Sequence, residues 1–418
     1  MGLAPQASSG RPEQCTRSAA DADEIQFTSM PTQSAPITPP RRYLDNAATS
    51  WPKPECVWRA WQRAARENGV AAGRGGYREA VAADQIISRA RAAFARLLDV
   101  PADRIALPAS ATLGLNQAIH GLLQPGDHAI ATAADHNATL RPLHQLARQG
   151  GIELTVVPCD GRGWVDPQAI ADAWRPATRL VSLSHASNVT GTVQDAAAVA
   201  AITGERGGIF LLDASQSLGQ RSFASVTADI VVAPAHKWLL GMHGIAGLFV
   251  REGLVLKPLL QGGTGSASES LDMPTGLPEQ LEVGTADLPA AAALVAAAEW
   301  RAAPAHRDLL AGCCQLAREC HQRLAAIPGV RMFGGEDAAA AGRPPIVSFV
   351  VEGFSPAETA ALLEQLAGVQ VRAGFHCAAA IHQALGTAAA GTVRVAFGPF
   401  NTTVDLEAVV TTVEAIIG

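Results

Sequence analysis

The chain has 418 residues, 48% hydrophobic and 17% charged, with a formal net charge of -6. That length exceeds what one hydrophobic core usually serves, so a large domain with a smaller companion is expected. The acidic balance and the lack of a dense Lys/Arg run exclude a general basic field for nucleic acid. No apolar run approaches the ~18 to 20 residues of a membrane helix, and the N-terminus lacks a basic region followed by an apolar core. Small-molecule chemistry in the cytoplasm is the expectation.

Residues 1–40 are rich in Ser, Thr, Pro, Gln and Ala and read as a disordered leader. Helical periodicity follows over 83–98 and 112–123, with short strands at 128–132 and 154–157 and buried ones at 180–184 and 209–213. Strands alternating with helices imply crossover units and an α/β fold with a mostly parallel sheet, which places ligands at the carboxyl ends of its strands. A long irregular stretch runs from Gly262 to Pro289. Helices are expected over 290–303, 309–324, 356–366 and 404–417, with a strand at 345–351. The division expected is a large domain over 41–295 and a smaller C-terminal α+β domain over 296–418.

The run from Asp229 to Trp238 carries one lysine, Lys237, at the end of an apolar strand. Burial disfavours the ammonium form, which suits an amine that must add to a carbonyl. Asn188, Asp213 and Lys237 each follow a buried strand. An amide, an acid and an amine at neighbouring strand ends suit pyridoxal phosphate, whose pyridine nitrogen is held protonated by the acid while the lysine bonds the aldehyde carbon. Taken singly, a turn Asn, a capping Asp and a surface Lys explain the same letters.

Pro108-Ala-Ser-Ala-Thr112 precedes a helix and offers N–H groups and hydroxyls to a phosphate, although an ordinary N-cap fits equally. His136 follows a strand where an imidazole can stack on a planar ring, and His236 and His376 flank candidate catalytic residues. Cys377, in Arg372-Ala-Gly-Phe-His-Cys377, has an adjacent imidazole and a nearby guanidinium, the setting of a nucleophilic cysteine. The seven cysteines are odd in number and form no CxxC pair, so neither a disulfide framework nor a metal site is indicated, and Cys56, Cys159, Cys313 and Cys320 read as small buried hydrophobes. Arg394, alternating with apolar neighbours, fits a substrate carboxylate and a structural ion pair about equally.

From Tyr43 onward the chain resembles the cysteine desulfurases of the class V aminotransferase superfamily, a pyridoxal 5'-phosphate-dependent fold type I group with a seven-stranded sheet. The matching stretches occur in family order: Tyr43-Leu-Asp-Asn-Ala-Ala-Thr49, Asp135-His-Asn137, Ser184-His-Ala-Ser-Asn-Val-Thr-Gly191, Asp213-Ala-Ser-Gln216, His236-Lys237, Gly262-Gly-Thr-Gly265, Glu282-Val-Gly-Thr285, Arg372 to Cys377, and Arg394 with Asn401-Thr402.

The resemblance implies that Lys237 anchors the cofactor, Asp213 partners the pyridine nitrogen, Asn188 and Gln216 lie near the ring hydroxyl and His136 stacks on the ring. Ala111, Thr112 and His236 hold the phosphate, and Thr285 reaches it from a neighbouring subunit, which implies a homodimer. Asn46, Ala47 and Ala48 line the substrate entrance, Arg394 and Arg372 serve substrate, and Cys377 receives sulfur from L-cysteine as a persulfide for delivery to an acceptor protein. L-selenocysteine is the alternative substrate; another class V reaction and a non-catalytic sulfur relay are further alternatives. Two departures stand out. Pro234 replaces the usual Ser or Thr three residues before the lysine, and Cys377 is followed by Ala-Ala-Ala-Ile-His-Gln in place of the commoner pattern with a proline, in a cysteine segment that is short, as in the family's second group.

Overall fold

The computed structural model describes residues 39–418 apart from 74, 224–226, 267 and 335–342. The expected leader, but for its last two residues, lies outside the described residues. Pro39–Gly418 forms one compact unit.

Its main layer is a seven-stranded sheet. Across it run Ile105–Ala106, Ala246–Val250, Ile230–Pro234, Ile209–Asp213, Thr178–Ser184, His128–Thr132 and Glu153–Val157. The last five pair in parallel, Ala246–Val250 runs antiparallel to them, and Ile105–Ala106 pairs antiparallel with Ala246–Val250. Only residues 235–245 join Ile230–Pro234 to Ala246–Val250, too short a link for a helical crossover, so the chain turns back antiparallel.

Helices cover both faces, and alternate strand residues divide between them. Val181, Leu183 and Leu212 pack with Phe94, Ile87 and Leu294 on one side, while Leu180, Leu211 and Val232 pack with Leu115, Ile119 and Leu143 on the other. A sheet buried on both faces needs continuous apolar strands, which is why these segments read so clearly. Gly247 is dictated by packing: a Cβ there would meet the Phe94 ring at 2.7 Å.

A second, antiparallel sheet runs Arg372–Gly374, Thr392–Ala396, Ile346–Val351, Val330–Phe333. The helices Arg307–Ala325, Pro356–Ala367 and Thr403–Ile417 share its core with Phe349, Val395, Leu406 and Val410. Arg42–Tyr43 pairs in parallel with Val369–Gln370, so the start of the described chain joins this C-terminal layer. The helix Leu288–Ala302 runs through the expected boundary at 295/296 and packs on Glu55–Glu67 and Arg78–Leu98. Among the described residues, no helix is long and apolar enough to cross a membrane.

The helices Glu55–Glu67, Asn137–Arg148 and Ala196–Glu205 and the strand Ala246–Val250 were not expected from sequence. Two of the four cysteines expected to be buried need correction. Cys56 sits exposed in the first turn of Glu55–Glu67 and Cys159 is only partly buried, whereas Cys313 and Cys320 are buried.

Candidate active site

The parallel strands deliver their carboxyl ends to one side of the sheet. Ser184 pairs with Asp213, and Asp213 with Val232, so the groups that follow them converge. There a cleft of about 230 Å³ opens, with Asp213, Lys237, Asn188 and His136 in its wall. Ala47, Ala48, Ala111, Thr112, Gln216, His236, Arg372 and Arg394 line it too. The structure thus brings together most of the sequence-derived candidates.

Burial pulls the Lys237 pKa down to about 8, with Arg394 and Arg372 acting in the same direction and Asp213 and Cys377 against it. Burial and the Lys237 charge likewise lower His136 to about 4. Its Nδ1 accepts from the Ala138 N–H at 3.0 Å, which leaves the proton on Nε2 and the ring neutral. Asp135 accepts from the backbone N–H groups of Thr132 (2.9 Å) and Ser184 (2.5 Å), tying the His136 turn to the neighbouring strand, and burial raises its pKa to about 7.

The two amides are oriented by neighbours. Gln216 donates to the Ala47 carbonyl at 3.0 Å and accepts from the Trp238 indole at 2.7 Å, and the indole, a donor only, fixes which end of the amide is oxygen. Asn188 donates to the His376 carbonyl at 2.6 Å. Each amide nitrogen keeps a second N–H.

In the same lining, the helix Ala111–Leu122 begins with Ser110 as N-cap, whose hydroxyl accepts from Leu113 N–H at 3.1 Å. Ala111 and Thr112 form the first turn, where backbone N–H groups lack intrahelical acceptors and the helix dipole favours an anion. Pro234, in the same wall, ends its strand opposite Ala246 and brings neither hydroxyl nor N–H.

Arg394 is 1% exposed, with one guanidinium nitrogen 2.6 Å from the Asp45 carboxylate and another donating to the Asn188 carbonyl at 2.9 Å. The structural ion pair, one of the two sequence readings, is therefore present. Its Nε–H is buried without an acceptor among the described residues, so the group retains a donor. Arg372 lies directly across the strand pair from Arg394. Like charges so placed repel unless an anion joins them.

Cys377 is exposed and does not line the cleft; its sulfur accepts from Arg372 at 3.2 Å. Its carbonyl is held by Asn137 N–H at 2.8 Å, beside the His136 turn. His376 and Cys377 have φ of 50° and 59°, left-handed values that cost non-glycine residues energy and persist where the surroundings impose them. Burial holds the His376 imidazole neutral, with Nε2 against the Thr392 hydroxyl at 3.0 Å. That arrangement gives His376 an anchoring place in the loop.

Two sequence candidates lie elsewhere. The Asn46 side chain is committed to the Ala396 carbonyl (2.9 Å) and Trp51 N–H (3.1 Å) and does not line the cleft. Thr285 is exposed and borders a different cavity, of about 420 Å³, with Arg91 and Glu282. Asp45, Ser215 and Lys53 were not singled out from sequence. An acid between Leu44 and Asn46 was the available signal for Asp45, and Ser215 N–H donates to Asp213 at 2.9 Å.

The class-V aminotransferase family model matches residues 42–409. The chain belongs to the class V aminotransferase family. It is 30% identical to a probable cysteine desulfurase of Methanothermobacter thermautotrophicus, over 90% of this chain and 94% of the relative. It is also 30% identical to the cysteine desulfurase CsdA of Escherichia coli, over 89% and 93%. The apo structure of a cysteine desulfurase from Thermococcus onnurineus superimposes with a TM-score of 0.81 at 26% identity, covering 90% of this chain and 94% of that one. The family is pyridoxal phosphate-dependent, and the residues present fit that group: an acid, a lysine of lowered pKa, a neutral imidazole and free N–H groups at a helix start share one cleft.

Proposed function

We propose that this protein is a cysteine desulfurase that takes sulfur from L-cysteine onto Cys377 and releases L-alanine. The observation that carries the reading is the cleft itself, in which Lys237 and Asp213 share walls with Arg372 and Arg394 while Cys377 stands against Arg372. Pyridoxal phosphate, when bound, supplies an electron sink and an aldehyde carbon for amines.

The chain's own groups then divide the work. Lys237, with a pKa near 8, has unprotonated amine available at neutral pH to anchor the aldehyde and to move the proton at the substrate α-carbon. With the cofactor bound, Asp213 would accept from the pyridine N–H and keep that ring protonated. His136, neutral, would stack on the ring, and the spare N–H groups of Asn188 and Gln216 would meet its hydroxyl. Ala111 and Thr112 N–H groups with His236 would hold the phosphate. Arg394 Nε–H and Arg372 receive the substrate carboxylate, the anion their juxtaposition lacks. The Cys377 sulfur attacks the substrate sulfur; an S–S bond forms as the substrate C–S bond breaks, and the carbon skeleton takes that electron pair and a proton. L-cysteine and a thiol give L-alanine and a persulfide, with no outside oxidant.

The same proposal assigns the layer around Arg372–Gly374 and Thr392–Ala396 to a smaller C-terminal domain carrying Cys377 and Arg394. It makes the protein a cytoplasmic homodimer, in which Thr285, outside its own cleft, reaches the partner's phosphate. An acceptor protein takes the sulfur from Cys377, whose exposure suits delivery. Because Cys377 stands at the rim, L-selenocysteine is the substrate to compare: its leaving group departs more readily and needs the thiol less.

The test is absorbance of the purified protein followed by addition of L-cysteine, with alanine and sulfide quantified in wild type and Cys377→Ala. Coloured protein that forms both products only with Cys377 intact is the expected result. Coloured protein inert to L-cysteine would contradict the reaction.

A further inference from the structure

Lys53 stands outside the groups assigned so far. It is 7% exposed, and among the described residues no acidic group acts on it: burial pulls its pKa down to about 8, which still leaves it protonated at neutral pH. A buried cation without a carboxylate is unfavourable, and natural chains seldom keep one without a counter-charge. Its Nζ donates to the Ser50 carbonyl and hydroxyl, each at 3.0 Å, and to the His236 carbonyl at 3.3 Å.

That carbonyl, in the peptide leading into Lys237, does not need it. Ser50 N–H (2.9 Å), Ser50 hydroxyl (3.1 Å) and Thr49 hydroxyl (3.1 Å) already serve the same oxygen. For that oxygen a neutral donor would serve without the desolvation cost, so what Lys53 adds beyond its bonds to Ser50 is charge. The charge is felt at the His236 and His243 imidazoles, stacked at 4.6 Å between centroids, and helps hold both neutral. The His236 ring lines the cleft together with Ser110, Ala111 and Thr112, the end suited to an anion, where Pro234 contributes no donor.

We propose that Lys53 is a positioning residue for the cofactor phosphate: a buried cation behind the His236 peptide that supplies positive potential to the anionic end of the cleft. This inference rests on the proposed function. The phosphate is the missing counter-charge, and in a buried setting a charge acts over several ångströms with little screening by salt.

The experiment is equilibrium titration of the full-length apoprotein with pyridoxal phosphate and, separately, with pyridoxal, for wild type, Lys53→Met, Lys53→Gln and Lys53→Arg. Glutamine keeps a donor for the His236 carbonyl and removes the charge. The expected result is about tenfold weaker pyridoxal phosphate binding in the methionine and glutamine variants. Pyridoxal binding should stay unchanged, and arginine should restore the phosphate preference. An unchanged preference, or equal loss of both ligands, would overturn the proposal, and so would failure of both neutral variants to fold, since Lys53 would then be a folding determinant. If wild type bound no pyridoxal phosphate, the functional reading would fall together with the inference; normal wild-type binding with an unmoved preference removes the inference alone.

Discussion

The floor of the cleft and its rim are built differently. On the floor, Asp213, Lys237, Asn188 and His136 stand at or just beyond strand ends whose register is fixed by a sheet buried on both faces, and the amides and imidazole have hydrogen-bond partners that orient them. At the rim, Cys377 is exposed on a loop with left-handed residues, and Arg372 lies on a three-residue strand. In the proposed reaction the floor governs how electrons and protons move at a substrate carbon. The rim there governs which substrate is held and where its sulfur goes, and a loop can change that without disturbing the sheet.

The comparison breaks most sharply at Lys237. Lys237→Ala should remove the cofactor's covalent attachment and lower turnover by about a thousandfold or more, measured by absorbance and by alanine formation. The same amine gives a pH dependence with a defined sign. Only its unprotonated form adds to an aldehyde, so the rate of loading apoprotein with pyridoxal phosphate should rise with pH and level off above about 8, below the range of an ordinary lysine. Continued rise toward the usual lysine pKa would show that burial does not tune this group.

A rim change should separate binding of cofactor from transfer of sulfur. Cys377→Ala should keep the cofactor absorbance yet lose sulfur release on the order of a hundredfold, assayed as sulfide in the presence of reductant. Arg372→Ala should be milder, raising KM for L-cysteine about tenfold with the thermal midpoint nearly unchanged, because the guanidinium is partly exposed and its loss strands no buried acid. The smallest effect is expected at Pro234. Pro234→Thr restores a hydroxyl to the anionic end and should tighten pyridoxal phosphate binding by roughly fivefold, read by equilibrium titration.

The floor was legible because its signals are local. Buried parallel strands read as apolar runs, and a lone Lys237 or Asp213 closing such a run marks a strand end. The rim and its supports were less legible because their roles depend on distant partners. Arg394 shows the difficulty: its strand position was readable, but its ion pair with Asp45 joins residues 349 apart in sequence. Asn46 matched its motif, while its side chain proved committed to the Ala396 carbonyl. Lys53 gave no periodic or motif signal, since a buried ammonium group among neutral acceptors is visible only in three dimensions. Cys56, expected as a buried hydrophobe, lies exposed in the first turn of the amphipathic helix Glu55–Glu67.

The measurement that tests the central claim most directly is a single turnover of the loaded protein with L-cysteine, followed by peptide mass analysis and alanine quantification. The account predicts one alanine per active site and one added sulfur atom on the peptide carrying Cys377. Alanine formed with the added sulfur absent from Cys377, or carried by another cysteine, would contradict it.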